Sequence, residues 1–221
     1  MYAAAIEMYL VQGVLPLGFL GLGEAPANNI QTYRARSQFA SWCAKNVAKG
    51  QASERIRFSR ETLFGRLGEV AAIRCADREQ LKAAVAIMIL ESAATNAGFG
   101  QDKYGYSTAI GPMQVKWAAV MDAGLSYEAY LGILTDRDPL IGVDAGVGYY
   151  LRMSRGRSLM DGVARYNRPN TVAATNTDYC EAFKKAMSSD MFEYGCRIAL
   201  IAYERQEDVI RSAISAEGER S

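Results

Sequence analysis

From Leu81 an apolar run with helical spacing ends in one carboxylate, Glu91, followed at once by Ser92. Asp77 and Gln80 stand ahead of it at capping-box spacing, where each side chain can satisfy a backbone N–H of the other residue. Leu81, Val85, Met88 and Ile89 fall on one side, and the alanines at 83, 84 and 86 are small enough for close helix packing. This pattern commits the stretch to a core helix with an acid at its far end. A carboxyl group there is partly desolvated, which disfavours its charged form and raises its pKa toward a working pH. Glu91 is therefore a candidate proton donor. A lone glutamate in that position serves equally well as a helix cap or ion-pair partner.

The rest of the chain reads as helices. Period-2 alternation is scarce, so the expected fold class is mainly α. Residues 31–48 place Tyr33, Phe39, Trp42, Cys43 and Val47 at helical spacing. Ser59 predicts the N-cap of a helix to about Ile73, with Leu63, Leu67, Val70 and Ala71 inward. Gly65 and Gly68 interrupt that pattern. Beyond Gln114 the spacing predicts helices to Met121, from Ser126 to about Leu134, over 140–153 after Asp138-Pro139, and over 158–166, 175–188 and 190 to about 206. Tyr104, Tyr106 and Thr108 alternate, which allows a small β-hairpin around 99–110.

Composition removes several mechanisms. The chain of 221 residues contains no histidine. That excludes Ser-His-Asp and Cys-His catalysis and leaves a metal site without its commonest ligand. Acid–base chemistry must then rest on Glu, Asp, Lys or Tyr, and no metal or cofactor is expected. The 25 basic and 24 acidic residues give a net charge of +1, so no nucleic acid is expected as a partner. Cys43, Cys75, Cys180 and Cys196 form no CxxC pair, and four buried thiols are expected rather than disulfides.

Residues 1–76 are expected to be an N-terminal helical extension, and 77–221 the main domain. Leu10 to Leu22 is apolar, but the segment before it lacks Lys and Arg and carries Glu7, unlike the basic start of a signal peptide. Gly13, Pro16, Gly18, Gly21 and Gly23 argue against a regular spanning helix. The readings, in order, are an arm docking on a partner through residues 1–50, a segment in contact with a membrane, and an atypical signal.

Four patches then occur in order. They are Glu91-Ser92; Ser107 to Gln114, containing Ala109-Ile110-Gly111-Pro112-Met113-Gln114; Asp138-Pro139 followed by Val143, Gly146 and Tyr149 to Leu151; and Ala164-Arg165-Tyr166-Asn167, with Tyr179 beyond. Over roughly residues 78–185 this resembles the lysozyme-like (goose-type) domain of lytic transglycosylases, enzymes that cleave the glycan strands of peptidoglycan. Pro112 stands where that family usually has Leu, Gly142 where it has Asn, and Pro169 where it has Gly. The resemblance implies a lysozyme-like domain with Glu91 as the catalytic residue. It implies substrate contacts from Ser92, Met113, Gln114, Tyr166, Asn167 and Tyr179, with Tyr166 orienting Glu91 through its hydroxyl.

Most glycosidases use two carboxylates. The resemblance implies one: Glu91 protonates the glycosidic oxygen, then takes the proton of the substrate's C6 hydroxyl as that hydroxyl closes a 1,6-anhydro ring. Asp102 keeps an inverting muramidase open, by activating water across the cleft. A wall endopeptidase and a catalytically reduced structural protein on the same fold are further alternatives. The substrate lies outside the cytoplasmic membrane. The expected setting is therefore a phage virion acting in the host periplasm, beside other virion or secretion-apparatus proteins, or else the bacterial periplasm.

Overall fold

The computed structural model describes residues 58–95, 99–101, 108–116, 119, 120, 133 and 140–218. Its helices are α1 (Arg60–Ile73), α2 (Arg78–Ser92), α3 (Leu140–Ser154), α4 (Leu159–Asn167), α5 (Thr177–Met187) and α6 (Asp190–Gly218). A 3-10 turn, Ala173–Thr175, precedes α5. Two short strands, β1 (Phe99–Gln101) and β2 (Thr108–Ile110), complete the described elements. The expected mainly α class is what the described residues adopt.

Helix α2 is the hub. The capping box forms as its spacing requires: Gln80 N–H donates to Asp77 Oδ1 at 2.8 Å, and Asp77 N–H donates to Gln80 Oε1 at 3.0 Å. Leu81 and every residue from Ala83 to Met88 are buried. A helix buried on all sides must be covered on all sides, and α2 packs against α1, α3, α4, α5 and α6.

Helices α1 and α6 lie side by side and run in the same direction. Tyr194 donates its hydroxyl to Glu61 near the start of both, and Tyr203 donates to the Ala76 carbonyl at 2.6 Å beyond the end of α1. Between them Gly68 faces Ala199, where a Cβ would stand 2.0 Å from the carbonyl oxygen. The glycine that weakens the helical pattern of α1 is thus the point where the two backbones meet. On another face of α1, Arg66 grips Asp144 of α3 through two hydrogen bonds of 2.8 and 2.6 Å.

The strands pair antiparallel, Phe99 with Ile110 and Gln101 with Thr108. Ile110 also bridges Val115, through N–H···O bonds of 3.0 and 2.9 Å. Residues 111–114 are therefore pinched into a tight turn directly after the hairpin.

Several expectations change. Leu63, Phe64, Leu67 and Val70 of α1 share one core with α2 and α6, so residues 58–76 belong to the domain rather than to an extension. A boundary drawn from where motifs begin misses a helix that carries packing and no chemistry. Helix α6 continues past 206 to Gly218, its last turns solvent-exposed and braced by Arg211 with Glu207 and Asp208. Cys180 is buried, but Cys196 is only partly so and Cys75 is exposed, in the left-handed turn that ends α1. The helix expected over 31–48 with Cys43, the apolar arm, Asp102, Tyr104 and Tyr106 lie outside the described residues.

Candidate active site

Glu91 sits in the last turn of α2. One residue beyond the helix the backbone enters the left-handed region twice, at Ala93 (φ 55°) and Ala94 (φ 53°). Neither is glycine, so each costs about 1 kcal/mol or more. Hydrogen bonds hold the strain in place: Ser92 Oγ accepts from Thr95 N–H at 3.1 Å, and Thr95 Oγ1 donates to the Ser92 carbonyl at 2.7 Å. The Ser92 hydroxyl donates across to the Pro112 carbonyl at 2.6 Å. Ser92 therefore ties the end of α2 to the 111–114 turn, which is a bracing geometry rather than a surface offered to substrate.

The turn itself is packed from beneath. Met113 is fully buried, and a Cβ on Gly146 of α3 would meet its Cβ and Sδ at 2.5 Å. Its side chain cannot touch a ligand, but its carbonyl accepts the Tyr166 hydroxyl at 2.6 Å. Gly111 (φ 72°) and Gln114 (φ 46°) are both left-handed. Gln114 is half-buried, and its Nε2 donates back to the Gly111 carbonyl at 3.0 Å.

The tyrosines take different parts from those expected. Tyr166, near the end of α4, gives its hydroxyl to Met113 and not to Glu91. Its ring lies edge-on to Tyr149 of α3, at 5.5 Å and 60°. The hydroxyl that reaches Glu91 is that of Tyr179 in the first turn of α5, donating to Oε1 at 2.5 Å. A bond this short to a carboxylate oxygen is charge-assisted. Asn167 is exposed, and its Oδ1 accepts from Asn176 Nδ2 at 3.3 Å, while that same amide holds the Ala164 carbonyl at 3.1 Å.

The electrostatics follow from burial. Desolvation raises the pKa of Glu91 above the ordinary 4.5, against the Tyr179 hydrogen bond and the charge of Lys116, which both lower it. Burial is also the first cause pushing Tyr166 and Tyr179 well above 10, and the negative charge of Glu91 adds to it. Both phenols therefore stay protonated, and Tyr179 remains a donor throughout the range in which Glu91 titrates. Glu91 is thus a carboxyl whose neutral form burial favours, held by a donor that steadies its anion. Among the described residues no group of three or more Cys, Asp or Glu side chains could hold a metal ion.

Residues 91, 92, 113, 114, 166 and 179 thus meet where α2, the turn, α4 and α5 converge, with Asn167 at the rim. Lys116, two residues past Gln114, also bears on Glu91, and its only signal along the chain is a cation close after the turn. The chain matches no family model, no curated protein and no solved structure.

Proposed function

We propose that this domain is a lysozyme-like lytic transglycosylase that cleaves the MurNAc–GlcNAc β-1,4 bond of peptidoglycan. One observation carries the reading. The carboxyl of Glu91 is desolvated at the end of a core helix, and the Tyr179 hydroxyl grips it at 2.5 Å. The four patches of the resemblance supply its context.

In this mechanism Glu91 starts protonated, a state its burial favours. It donates its proton to the glycosidic oxygen, and the C1–O bond breaks. The leaving sugar departs with a free C4 hydroxyl, and positive charge develops at C1. The Glu91 carboxylate, now steadied by Tyr179, takes the proton of the substrate's C6 hydroxyl as that oxygen bonds to C1. The carboxyl ends as it began, and the product carries a 1,6-anhydro ring. No second carboxylate is consumed in the cycle. Ser92 and Tyr166 act through the turn, fixing Met113 and Gln114 relative to Glu91, and Gln114 and Asn167 are the polar groups offered to the sugar amides. The setting we infer is a virion that carries the enzyme to the host periplasm for local wall opening, with residues 1–50 docking on other virion proteins.

The test is digestion of purified peptidoglycan with mass spectrometry of the fragments, with Glu91→Gln as control. Anhydro-muropeptides from the wild type alone are the expected result. Reducing-end sugars would replace the reading with a muramidase, and free stem peptides with an endopeptidase. Wild-type and Glu91→Gln protein that behave alike would remove Glu91 from the chemistry.

A further inference from the structure

We propose that the groove between the C-terminal end of α1 and one face of α3 is a binding site for a phosphate-type oxyanion, held by the guanidinium groups of Arg74 and Arg155. Arg74, Gly148, Leu151, Arg152 and Arg155 line a cavity of about 530 Å³ there. Gly148, Leu151 and Arg152 fall at i, i+3 and i+4 on one face of α3, and Arg155 follows in the turn just past its end. Among the described residues no carboxylate lines the groove, and no salt bridge joins Arg74 or Arg155 to an acid. Arg152 lines the groove while engaging a partner of its own, so Arg74 and Arg155 carry the site.

Two further details favour a ligand over simple helix capping. Arginines near a helix C-terminus often serve its unpaired carbonyls. At the end of α3 that work falls to Arg157, whose Nη1 donates to the Arg155 carbonyl at 2.9 Å and lies 3.4 Å from the Met153 carbonyl. Arg155 is left with its head group on the groove. Arg74 is placed by a glycine. A Cβ at Gly148 would stand 2.8 Å from its Cζ, 2.9 Å from Nη1 and 3.1 Å from Nη2. Those near-equal distances lay the guanidinium plane over the bare backbone of α3, and any other residue at 148 would displace it. A planar fork held this way presents paired N–H donors to an oxyanion.

Clustered like charges repel in the free protein, and with a net charge of only +1 for the whole chain this cluster is a local field rather than a general basicity. The volume lies within the range of small-molecule sites, roughly 300–1,000 Å³, and suits a phosphorylated solute or a lipid headgroup better than a lone ion. Glu91 takes no part, so the proposal does not depend on the reading of the active site.

The experiment is calorimetric titration of the full chain with pyrophosphate at low ionic strength, beside sedimentation with phosphatidylcholine vesicles with and without phosphatidylglycerol. Arg74→Gln and Arg155→Gln are compared with Arg205→Gln, which removes the same charge from exposed α6, and circular dichroism checks that each variant is folded. Pyrophosphate binding weakened about tenfold or more by each groove variant and unchanged in Arg205→Gln is the expected result, from the loss of one charge-assisted bidentate contact. If binding to the anionic vesicles shows that same dependence and pyrophosphate competes for it, the ligand is a headgroup; if only pyrophosphate binds, it is a solute. Absence of binding to both, or binding that the groove variants leave intact, or an equal loss in Arg205→Gln, would overturn the site.

Discussion

Two glycines three residues apart in α1 should respond to alanine with opposite signs. Gly65 and Gly68 both lie inside the helix, and each would gain about 0.8–1.0 kcal/mol of helix propensity from the substitution. At Gly65 nothing stands within 4 Å of the new Cβ, so the gain is kept. At Gly68 the Cβ would lie 2.0 Å from the Ala199 carbonyl oxygen, 2.9 Å from its carbon and 3.1 Å from its Cα. These are backbone atoms and cannot swing away. Helices α1 and α6 must part by roughly the 1 Å that a normal contact lacks, which loosens the packing of Phe64 on Gly195 and Tyr194. Overpacking of this kind costs about 1–3 kcal/mol and occasionally more. The net effect is a gain of up to ~1 kcal/mol for Gly65→Ala and a loss of about 0–2 kcal/mol or more for Gly68→Ala. Urea unfolding followed by circular dichroism reads both, as midpoint shifts of opposite sign at unchanged slope. Equal stabilisation by the two alanines would mean that α1 and α6 do not meet at Gly68, and the inclusion of residues 58–76 in the core would fall with it.

Three more outcomes follow from the site. Tyr179→Phe removes the hydrogen bond that lowers the Glu91 pKa, so the alkaline limb of the pH–rate profile should move up. The optimal rate should fall about 10–100-fold, as for a ~1.5–3 kcal/mol bond to a charged group; a rate drop with an unmoved limb would show that Tyr179 only fills space. Because burial raises the Glu91 pKa, the native state binds that proton more tightly than the unfolded chain, and stability falls as pH rises from about 4.5 through the raised native value. Glu91→Gln lacks this term, so its stability relative to wild type should be higher at neutral pH than at about pH 4, and thermal melts giving a pH-independent difference would contradict the assigned desolvation. Gly142→Asn should destabilise by about 1–3 kcal/mol in the wild type, and Pro112→Leu should change that cost by at least ~0.5 kcal/mol. Additivity of the two in a urea double-mutant cycle would show that they do not touch.

The sequence made α2 legible because cap, apolar face and terminal acid are all local, and each had one physical reading. It made Glu91 legible for the same reason. It did not reveal which tyrosine reaches Glu91. Tyr166 and Tyr179 lie on separate helices, and the choice depends on how α4 and α5 cross, with Tyr166 drawn to the Met113 carbonyl instead. Ser92 was equally opaque, since a hydroxyl beside a candidate acid suggests substrate until the Pro112 carbonyl is found 2.6 Å away. Gly68 misled in the opposite sense: as a residue it weakens a helix, and only the helix lying across it gives it a purpose.

Pro112 and Gly142 extend that lesson to the question of decay. Read along the chain they are two unrelated departures from the resembled pattern, thirty positions apart, and each counts against a working site. In space they touch: a Cβ on Gly142 would come within 3.2 Å of Pro112 Cδ and of Ile133 Cγ2, and 3.7 Å of Gly111 Cα. The turn tolerates proline because its hydrogen bonds run from Gln114 N–H to Gly111 and between Ile110 and Val115, leaving no call on an N–H at 112. The ring then occupies space on the buried side of the turn, and α3 makes room for it by carrying no side chain at 142. A side chain at 142 and the ring at 112 thus compete for the same space. The pair lies on the face of the turn that packs against α3, while Met113 still accepts the Tyr166 hydroxyl and Pro112 still accepts that of Ser92 through their carbonyls. The two departures are therefore one local packing arrangement on the far side of the turn from those hydrogen bonds, and the turn keeps its ties to Ser92 and Tyr166 with both in place.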